Sequence, residues 1–539
     1  MKKIYIFALA ASVLAVSCIK DLDVLPLNEY DITSEAAYVD EDSYLKGLAY
    51  INAYYSFVSQ GDPGSSDLPS FKDAGQSELL RQWTVLNDLP TAAMDISWGD
   101  AYVEPLETKT WTNAANTAIT AVYTRALKGV VLVNEYLLQT TDEKLAARGH
   151  SAFKAEVAQY RAEARFHRAM FNYILLDLFG NPPYATPENI GGDLPKQLGR
   201  EGFFNELEKE LLDLISDGSA MPAKGAVQYP RPNKDAVKAL LARLYLNAEV
   251  YTGTPRWADA KKYAGEVIEN GYSLHPDYAE LFLQDNGENC SGDEFIFAIE
   301  YDCDRAQSWG GTTTLSSGAF NDDMNVAVSS YLELSLPYVS AEAWNGYRID
   351  PAFISENAEG IVYDKDETLG YNPAAGDQRL RLYIQEDPAT TAYKRTGATA
   401  GWRLWKWAKM DSNKMVVARE QADANWKLSS ADVAVFRLPE MYYIVAESDA
   451  RLNGGTTSDA TAVGYINALR DRAGLSHDAA SYTVEAILKD KAIEMLWEGQ
   501  RRQDEIRLGI FSTDKNRYVY PILETDRSVN PNLAQNPGY

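Results

Sequence analysis

Cysteine, histidine and positive charge are all scarce in this chain of 539 residues. The three cysteines form no CxxC pair and the four histidines are scattered, so we predict no metal site and no cofactor. Lysine and arginine number 51 against 77 acidic residues, and the resulting formal charge of −26 excludes nucleic acid as an expected partner. Beyond the N-terminus, no apolar run reaches the roughly 18 residues that a membrane-spanning helix needs.

Motifs of the common enzyme classes are missing as well. The sequence contains no nucleophile elbow, P-loop, HExxH or kinase signature. Glycosidases escape this test because they need only two carboxylates correctly placed in space, which 77 acidic residues can supply. A lipid-anchored glycosidase therefore stays open on motifs alone.

The N-terminus has the pattern of an export signal. Two lysines precede an apolar run over residues 4–16, which is too short to span a bilayer. The run leads through Leu14-Ala15-Val16-Ser17 directly to Cys18, and this arrangement resembles the lipobox of bacterial lipoproteins. We expect a signal peptide over residues 1–17 and lipidation of Cys18, since several acyl chains anchor a protein stably.

Most of the remaining pattern is helical. Apolar residues recur at helical spacing over 113–140, 151–179, 202–217, 233–270, 439–453, 457–473 and 483–508. Within 233–270, two apolar faces flank the turn Thr252-Gly253-Thr254-Pro255, which resembles a tetratricopeptide unit. Such units stack, so we predict a mostly α fold with a tetratricopeptide-like helical repeat scaffold.

The composition changes between about residues 285 and 430. Glycine and proline interrupt short strand-like runs such as 295–299, and several tryptophans are scattered among them. We predict a long irregular insertion, rich in loops and short strands, that carries the binding residues. Export would permit a disulfide between Cys290 and Cys303, but the sequence does not show whether their side chains meet.

Several segments resemble signatures of the SusD/RagB family. They are Ala162–Ala169, Asp177–Pro183, Phe436–Glu447, Ile466–Leu475, Trp497–Arg502 and Asn530–Tyr539. Together with the lipobox they follow the family's order along the whole chain. The resemblance implies one SusD-like domain over 18–539, with a helical scaffold at about 30–284 and 431–510.

The same resemblance completes the expected organisation and assigns a role. The insertion would span about 285–430, and a C-terminal tail would span 511–539. The protein would be a non-catalytic, lipid-anchored outer-membrane protein that delivers glycan to a SusC-like TonB-dependent transporter. Lys20, Asp21 and Asp23 resemble the acidic tag of lipoproteins that face the cell exterior.

Loop tryptophans are the candidate ligand contacts. Sugars have apolar faces and polar rims, so a glycan site needs flat aromatic rings flanked by hydrogen-bonding side chains. Trp98 with Asp100 resembles the family segment that supplies a stacking tryptophan, and Trp309 stands beside two glycines that cannot bury it. Tyr301 and Asn321 are weaker companions in the same region.

Each candidate has an alternative interpretation. Tryptophan is highly buried on average, and we expect Trp257 and Trp497 in the core. The arginine-rich segments 161–168 and 470–507 are better explained as salt bridges between helices than as an anion site.

A peptide-binding, RagB-like subunit of a peptide importer is the alternative function, in which aromatic and polar loops would hold an extended backbone.

Overall fold

The computed structural model describes residues 34–59, 63–68, 70–340, 342–395, 400–416 and 427–539. The expected signal peptide, the lipidation site Cys18 and the acidic segment 20–23 lie outside these residues, as does Trp426, one of the scattered tryptophans of the stretch 285–430. Within the described ranges, no helix is both long enough and apolar enough to cross a membrane.

Helices dominate the regular structure, and the strands are short. The N-terminal helices are α1 (Ser34–Ala37), α2 (Glu41–Ala53), α3 (Leu79–Asp88), α4 (Val103–Glu107), α5 (Thr117–Gln139), α6 (Asp142–Ala147), α7 (Lys154–Phe179), α8 (Arg200–Ile215), α9 (Lys234–Leu246), α10 (Ala248–Thr252) and α11 (Trp257–Ile268). They are followed by α12 (Asn286–Asn289), α13 (Gly311–Ala319), α14 (Asp322–Tyr331), α15 (Pro351–Asn357), α16 (Leu438–Leu452), α17 (Ala460–Arg472), α18 (Val484–Glu494), α19 (Arg501–Leu508) and α20 (Glu524–Val529). The strands are β1 (Asp95–Ile96), β2 (Pro183–Tyr184), β3 (Lys196–Gln197), β4 (Phe295–Ile299), β5 (Tyr347–Arg348), β6 (Leu382–Tyr383), β7 (Arg403–Leu404), β8 (Val433–Arg437), β9 (Thr456–Thr457) and β10 (Tyr482–Thr483).

The long helices pack side by side around one core. Helix α5 contacts α7, α9 contacts α11, and α11 contacts α16, which also touches α17 and α18. Asn116 and Asn233 cap α5 and α9 by accepting backbone N–H bonds, as their positions before the apolar runs suggest. The predicted mostly α, repeat-like scaffold is confirmed. Helix α3 is an addition that the sequence did not predict.

Two details of the scaffold differ from expectation. The stretch 483–508 is two helices, α18 and α19, because the chain turns between them with φ of 59° at Trp497 and 70° at Gly499. Trp497 is buried as predicted, but the expectation for Trp257 is wrong. Trp257 begins α11 and is half-buried at the surface, whereas Ala260 and Tyr263 face the core.

The stretch 285–430 is less irregular than its composition predicts. Helices α13 and α14 lie inside it, although α13 contains two glycines and three threonines. Every residue of α13 is buried, so tertiary packing outweighs the low helix propensity of these residue types. Cys290 and Cys303 are free thiols.

Strands β4 and β8 pair antiparallel and bring together the two ends of this stretch. Phe295 lies opposite Arg437, and Ile299 lies opposite Val433. The strand predicted at residues 295–299 is thereby confirmed as β4. Because Glu294 directly precedes β4, the pairing places its carboxylate 3.0 Å from the guanidinium of Arg437.

Arg437 is the centre of a buried charge network. Its guanidinium also contacts Glu494 at 2.5 Å and Glu498 at 2.8 Å. Arg472 pairs with the same Glu494 at 2.7 Å. Burial raises the pKa of Glu494, but the neighbouring guanidinium groups outweigh burial and lower it to about 2. The other arginine-rich segments also form the predicted salt bridges, including Arg168 with Glu210, Arg502 with Asp177 and Arg507 with Glu447.

Glu78 ties the start of α3 to the chain around residues 301–311. Its carboxylate accepts N–H bonds from Arg81 and Gly311, both at 2.7 Å, and an O–H bond from Tyr301. The side chain is fully buried, and burial raises its pKa to about 7. One carboxyl group therefore fixes a scaffold helix against the segment that leads into α13.

Replacing Arg437 by methionine should destabilise the protein by about 3–5 kcal/mol, because three carboxylates would stay buried without their shared cation. Urea unfolding at pH 7 measures this loss. The matched variant Arg165→Met removes a partly exposed guanidinium that pairs with Glu210, and it should cost less than about 1 kcal/mol. Equal destabilisation by both variants would contradict the central position of Arg437.

Replacing Glu78 by glutamine should make stability less dependent on pH. A carboxyl group whose pKa rises from 4.5 to about 7 on folding contributes stability below pH 4.5 that is lost as the pH rises through 7. Glutamine stays neutral throughout. Wild type should therefore lose on the order of 1–3 kcal/mol relative to Glu78→Gln between pH 4.5 and 8.

Melting temperatures at both pH values measure this effect. The variant Glu143→Gln, at an exposed position, is the control and should follow wild type. If wild type and Glu78→Gln show parallel melting profiles, the raised pKa of Glu78 is wrong.

Candidate functional site

Three tryptophans from distant parts of the chain meet at one cavity. Trp98 follows β1, Trp309 precedes α13, and Trp344 precedes β5. The ring centroids of Trp309 and Trp344 are 6.0 Å apart, and those of Trp98 and Trp344 are 6.4 Å apart. We call these three side chains the tryptophan cradle. They line a cavity of about 380 Å³ together with Asp73, Gln76, Arg81 and Asp100.

Pairing between β1 and β5 positions Trp98. The two strands run antiparallel, and the N–H of Ser97 donates to the carbonyl of Gly346 at 2.9 Å. The indole N–H of Trp98 donates to the carbonyl of Trp344 at 3.1 Å. A Cβ at Gly346 would lie 2.2 Å from the Trp98 ring, so only glycine allows this packing.

The segment before α13 presents Trp309. Its carbonyl accepts a hydrogen bond from the hydroxyl of Thr314 at 2.8 Å. Two residues later, the N–H of Gly311 donates to the buried carboxylate of Glu78 at 2.7 Å. Gly311 has φ of 43°, and a Cβ there would lie 2.1 Å from the hydroxyl of Tyr301. The indole of Trp309 thus stays half-buried above a rigid support.

Trp344 is held from both sides. Its backbone N–H donates to the carbonyl of Ser317 at 2.8 Å, and its indole N–H donates to Glu342 at 3.2 Å. The following Asn345 has φ of 59°, and its amide oxygen accepts N–H bonds from the buried Arg348 and Arg403. The backbone and indole bonds, together with the clamped turn that follows, fix the orientation of the Trp344 ring.

Polar groups surround the tryptophan cradle. Arg81 is 5% exposed, and its guanidinium lies 3.8 Å from the carboxylate of Asp73. The Nε of Arg81 has no hydrogen-bond partner among the described residues. Gln76 donates to Asp100 at 3.4 Å, and both side chains are partly exposed. The cavity therefore combines apolar rings with amide, carboxylate and guanidinium groups that can bond hydroxyls.

The structure brings together some predicted site residues and separates others. Trp98, Asp100 and Trp309 line the same cavity. The prediction that Tyr301 contacts the ligand is wrong, because Tyr301 is 2% exposed and its hydroxyl donates to Glu78 beneath the loop. Asn321 does not line the cavity either, since its amide oxygen caps α14 by accepting the N–H of Met324.

Sequence reasoning missed four cavity residues. They are Asp73, Gln76, Arg81 and Trp344. For Trp344 a signal was present, because it stands before Asn345-Gly346 just as Trp309 stands before two glycines. The other three lie in and before α3, where no sequence motif marked a site.

Three side chains that could ligate a cation lie close together before Trp309. Asp302, Cys303 and Asp304 bring one ligand atom each within 4.8 Å of one another. A carboxylate oxygen of Asp302 already accepts the N–H groups of Asp304 and Arg305, which closes a turn. This geometry explains the cluster as a turn.

Two family models match separate parts of the chain. Residues 293–517 match the model described as the SusD family. Residues 76–246 match the model described as starch-binding associating with outer membrane. The second match includes Arg81 and Trp98, and the first includes Trp309 and Trp344.

Relatives and solved structures agree with these matches. Starch-binding protein SusD of Bacteroides thetaiotaomicron is 29% identical over 97% of this chain and 96% of its own. A SusD homolog from the same species has a TM-score of 0.67 at 18% identity, covering 94% of this chain and 98% of that one. Surface glycan-binding protein A of this species, in complex with laminarihexaose, has a TM-score of 0.63 at 19% identity over 92% and 99%. Over most of its length the chain is therefore similar to proteins of the SusD family.

Proposed function

We propose that this protein is a non-catalytic glycan-binding protein that stacks sugar rings on the tryptophan cradle. The meeting of three half-buried indoles at one polar-rimmed cavity carries this proposal. Each indole offers an apolar face of the size of a sugar ring, and the surrounding side chains can bond hydroxyls.

The arrangement is rigid before any ligand binds. Two of the indole N–H groups donate hydrogen bonds within the protein, and the backbone around Trp309 and Trp344 is tied to neighbouring segments. A preorganised surface loses little conformational entropy on binding. The ring planes of Trp309 and Trp344 meet at 37°, and those of Trp98 and Trp344 meet at 55°. This surface is bent and suits a curved chain better than a flat one.

Relatives support the same chemistry. The SusD relative is named a starch-binding protein, and solved structures of similar fold are described as a laminarin-binding SusD-like protein and a glycan-binding protein with laminarihexaose. These descriptions are of binding proteins, which favours binding over hydrolysis here.

The proposal extends to the cell surface. A lipobox ending at Cys18 would anchor the chain to the outer membrane, with an exterior orientation favoured by the acidic segment 20–23. The protein would capture oligosaccharide or polysaccharide and pass it to a SusC-like TonB-dependent transporter. The outer-membrane description of one matching family model supports this location.

Replacing Trp309 and Trp344 together by alanine should weaken glycan binding at least tenfold, a loss of about 1.4 kcal/mol or more. Affinity electrophoresis against a polysaccharide panel, followed by calorimetry on each hit, measures the loss. Tyr331→Ala removes an exposed aromatic ring that lines neither this cavity nor the one beside α10 and α11, and it is the matched control. Undiminished binding by the double variant would contradict the site.

A mixed peptide pool included in the same panel separates the peptide alternative. Heat released by peptides and not by glycans would assign the protein to peptide import. New reducing ends after incubation with polysaccharide would show hydrolysis, for which Asp73 and Asp100 are the carboxylates at the cavity.

Mild-detergent purification of the lipidated protein from its native membrane should recover a large TonB-dependent barrel with it. Mass spectrometry identifies the partner, and a Cys18→Ala variant tests the anchor because it should leave the membrane fraction. A monodisperse lipoprotein recovered without a barrel would contradict the proposed partnership.

A further inference from the structure

A second, large cavity lies away from the tryptophan cradle. Its volume is about 890 Å³, within the range of ligand-binding cavities. It is lined by the start of α8, by α10, by the start of α11, by the ends of α16 and α19, and by the C-terminal tail. None of its lining residues belongs to the cavity described above.

The lining of this cavity is mainly basic, although the protein as a whole is acidic. Four cations line it, namely Arg200, Arg451, Arg507 and Lys515, against the single carboxylate of Glu249. The whole chain has 77 acidic and 51 basic residues. A local excess of positive charge on such an acidic protein attracts anions to one place.

Two of these cations are already neutralised. Arg507 pairs with Glu447 at 2.8 Å and with Asp504 at 2.6 Å. Arg451 pairs with the same Glu447 at 2.9 Å. These contacts are part of the salt bridges between α16 and α19, so they shape the wall of the cavity and leave little charge for a ligand.

Arg200 forms no salt bridge among the described residues. Its Nη1 donates to the carbonyl of Val250 at 3.2 Å, and its guanidinium lies 4.9 Å from the ring centre of Tyr251. The carboxylate of Asp177 is nearby but is committed to the hydroxyl of Tyr251 and to Arg502, both at 2.8 Å. Within the described part of the chain, no carboxylate lies within salt-bridge distance of Arg200.

Two nitrogens of the Arg200 guanidinium form no hydrogen bond with the described residues. Nε is buried without a hydrogen bond, and Nη2 has no acceptor among the described residues. Burial lowers the pKa of Arg200, and the nearby carboxylate of Asp177 offsets this effect only in part. Lys515, on the tail side of the cavity, is exposed and likewise pairs with no carboxylate in the described ranges.

The rest of the lining suits a sugar. Trp257 is half-buried, and Arg451 lies over its ring at 5.7 Å. The exposed side chains of Thr513 and Asn516 add a hydroxyl and an amide. An indole beside hydroxyl and amide groups is the chemistry that fits sugar rings, while Arg200 and Lys515 fit a negatively charged substituent.

We propose that this second cavity binds an acidic oligosaccharide, with its carboxylate or sulfate group bonded to Arg200 and Lys515 and a sugar ring against Trp257. The inference goes beyond the proposed function and uses none of the residues of the tryptophan cradle. A protein with both sites would hold a neutral and an acidic part of a glycan at separate places.

Calorimetry on the full-length protein tests this site with three probes: trigalacturonate, a heparin-derived sulfated tetrasaccharide and neutral maltotriose. At 50 mM NaCl we expect at least one anionic probe to bind, and its affinity should fall as salt rises because the contact is ionic. Binding of trigalacturonate alone assigns a carboxylate ligand, and binding of the sulfated probe alone assigns a sulfate ligand.

Two variants locate the binding. Arg200→Gln with Lys515→Gln should weaken the anionic probe at least tenfold, and the single Lys515→Gln, at an exposed position, should weaken it several-fold without affecting folding. Lys209→Gln, a 79% exposed lysine on α8, removes the same charge elsewhere and is the matched control.

The double variant Trp98→Ala with Trp309→Ala should keep the binding of the anionic probe, which separates this site from the tryptophan cradle. The proposal is overturned if neither anionic probe binds wild type. It is also overturned if Lys209→Gln weakens the binding as much as Lys515→Gln.

Discussion

The guanidinium of Arg437 joins carboxylates that the chain brings from two distant segments. Glu294 precedes β4, while Glu494 and Glu498 come from the end of α18 and the turn after it, and all four groups are buried. A buried charge without its partner is costly, so each member requires the others to stay in place. Since β4 and β8 are the entry and exit of the stretch 285–430, this network fixes both of its ends on the helical scaffold.

Two of the three rings of the tryptophan cradle belong to the stretch that this network attaches. Trp309 and Trp344 belong to the inserted stretch, whereas Trp98 and Arg81 belong to the N-terminal scaffold. The indole of Trp98 bonds the carbonyl of Trp344 although the two are 246 residues apart in the chain. Glu78 and the β1–β5 pair provide two further links across this boundary. The binding surface is thus assembled from separate segments, which explains how it can be rigid without being a single loop.

The sequence predicted the elements that form because of patterns among neighbouring residues. Helical periodicity found most of the scaffold, and a tryptophan beside glycine or within a loop pointed to Trp98 and Trp309. Helix α13 was missed because its residues are poor helix formers and its formation depends on burial from all sides. Tyr301 was misplaced because a loop residue's direction depends on distant contacts, here with Glu78. Trp344 and Arg81 join the site only through tertiary packing, which no local pattern records.

A crystal structure of the protein with the best-binding neutral oligosaccharide of a glycan panel would test the central claim most directly. The account predicts sugar rings in van der Waals contact with the indoles of Trp309 and Trp344, and hydroxyl groups within hydrogen-bond distance of Arg81 or Asp73. The protein backbone around the tryptophan cradle should move little between the free and bound forms. An oligosaccharide bound elsewhere, with this cavity empty, would contradict the account.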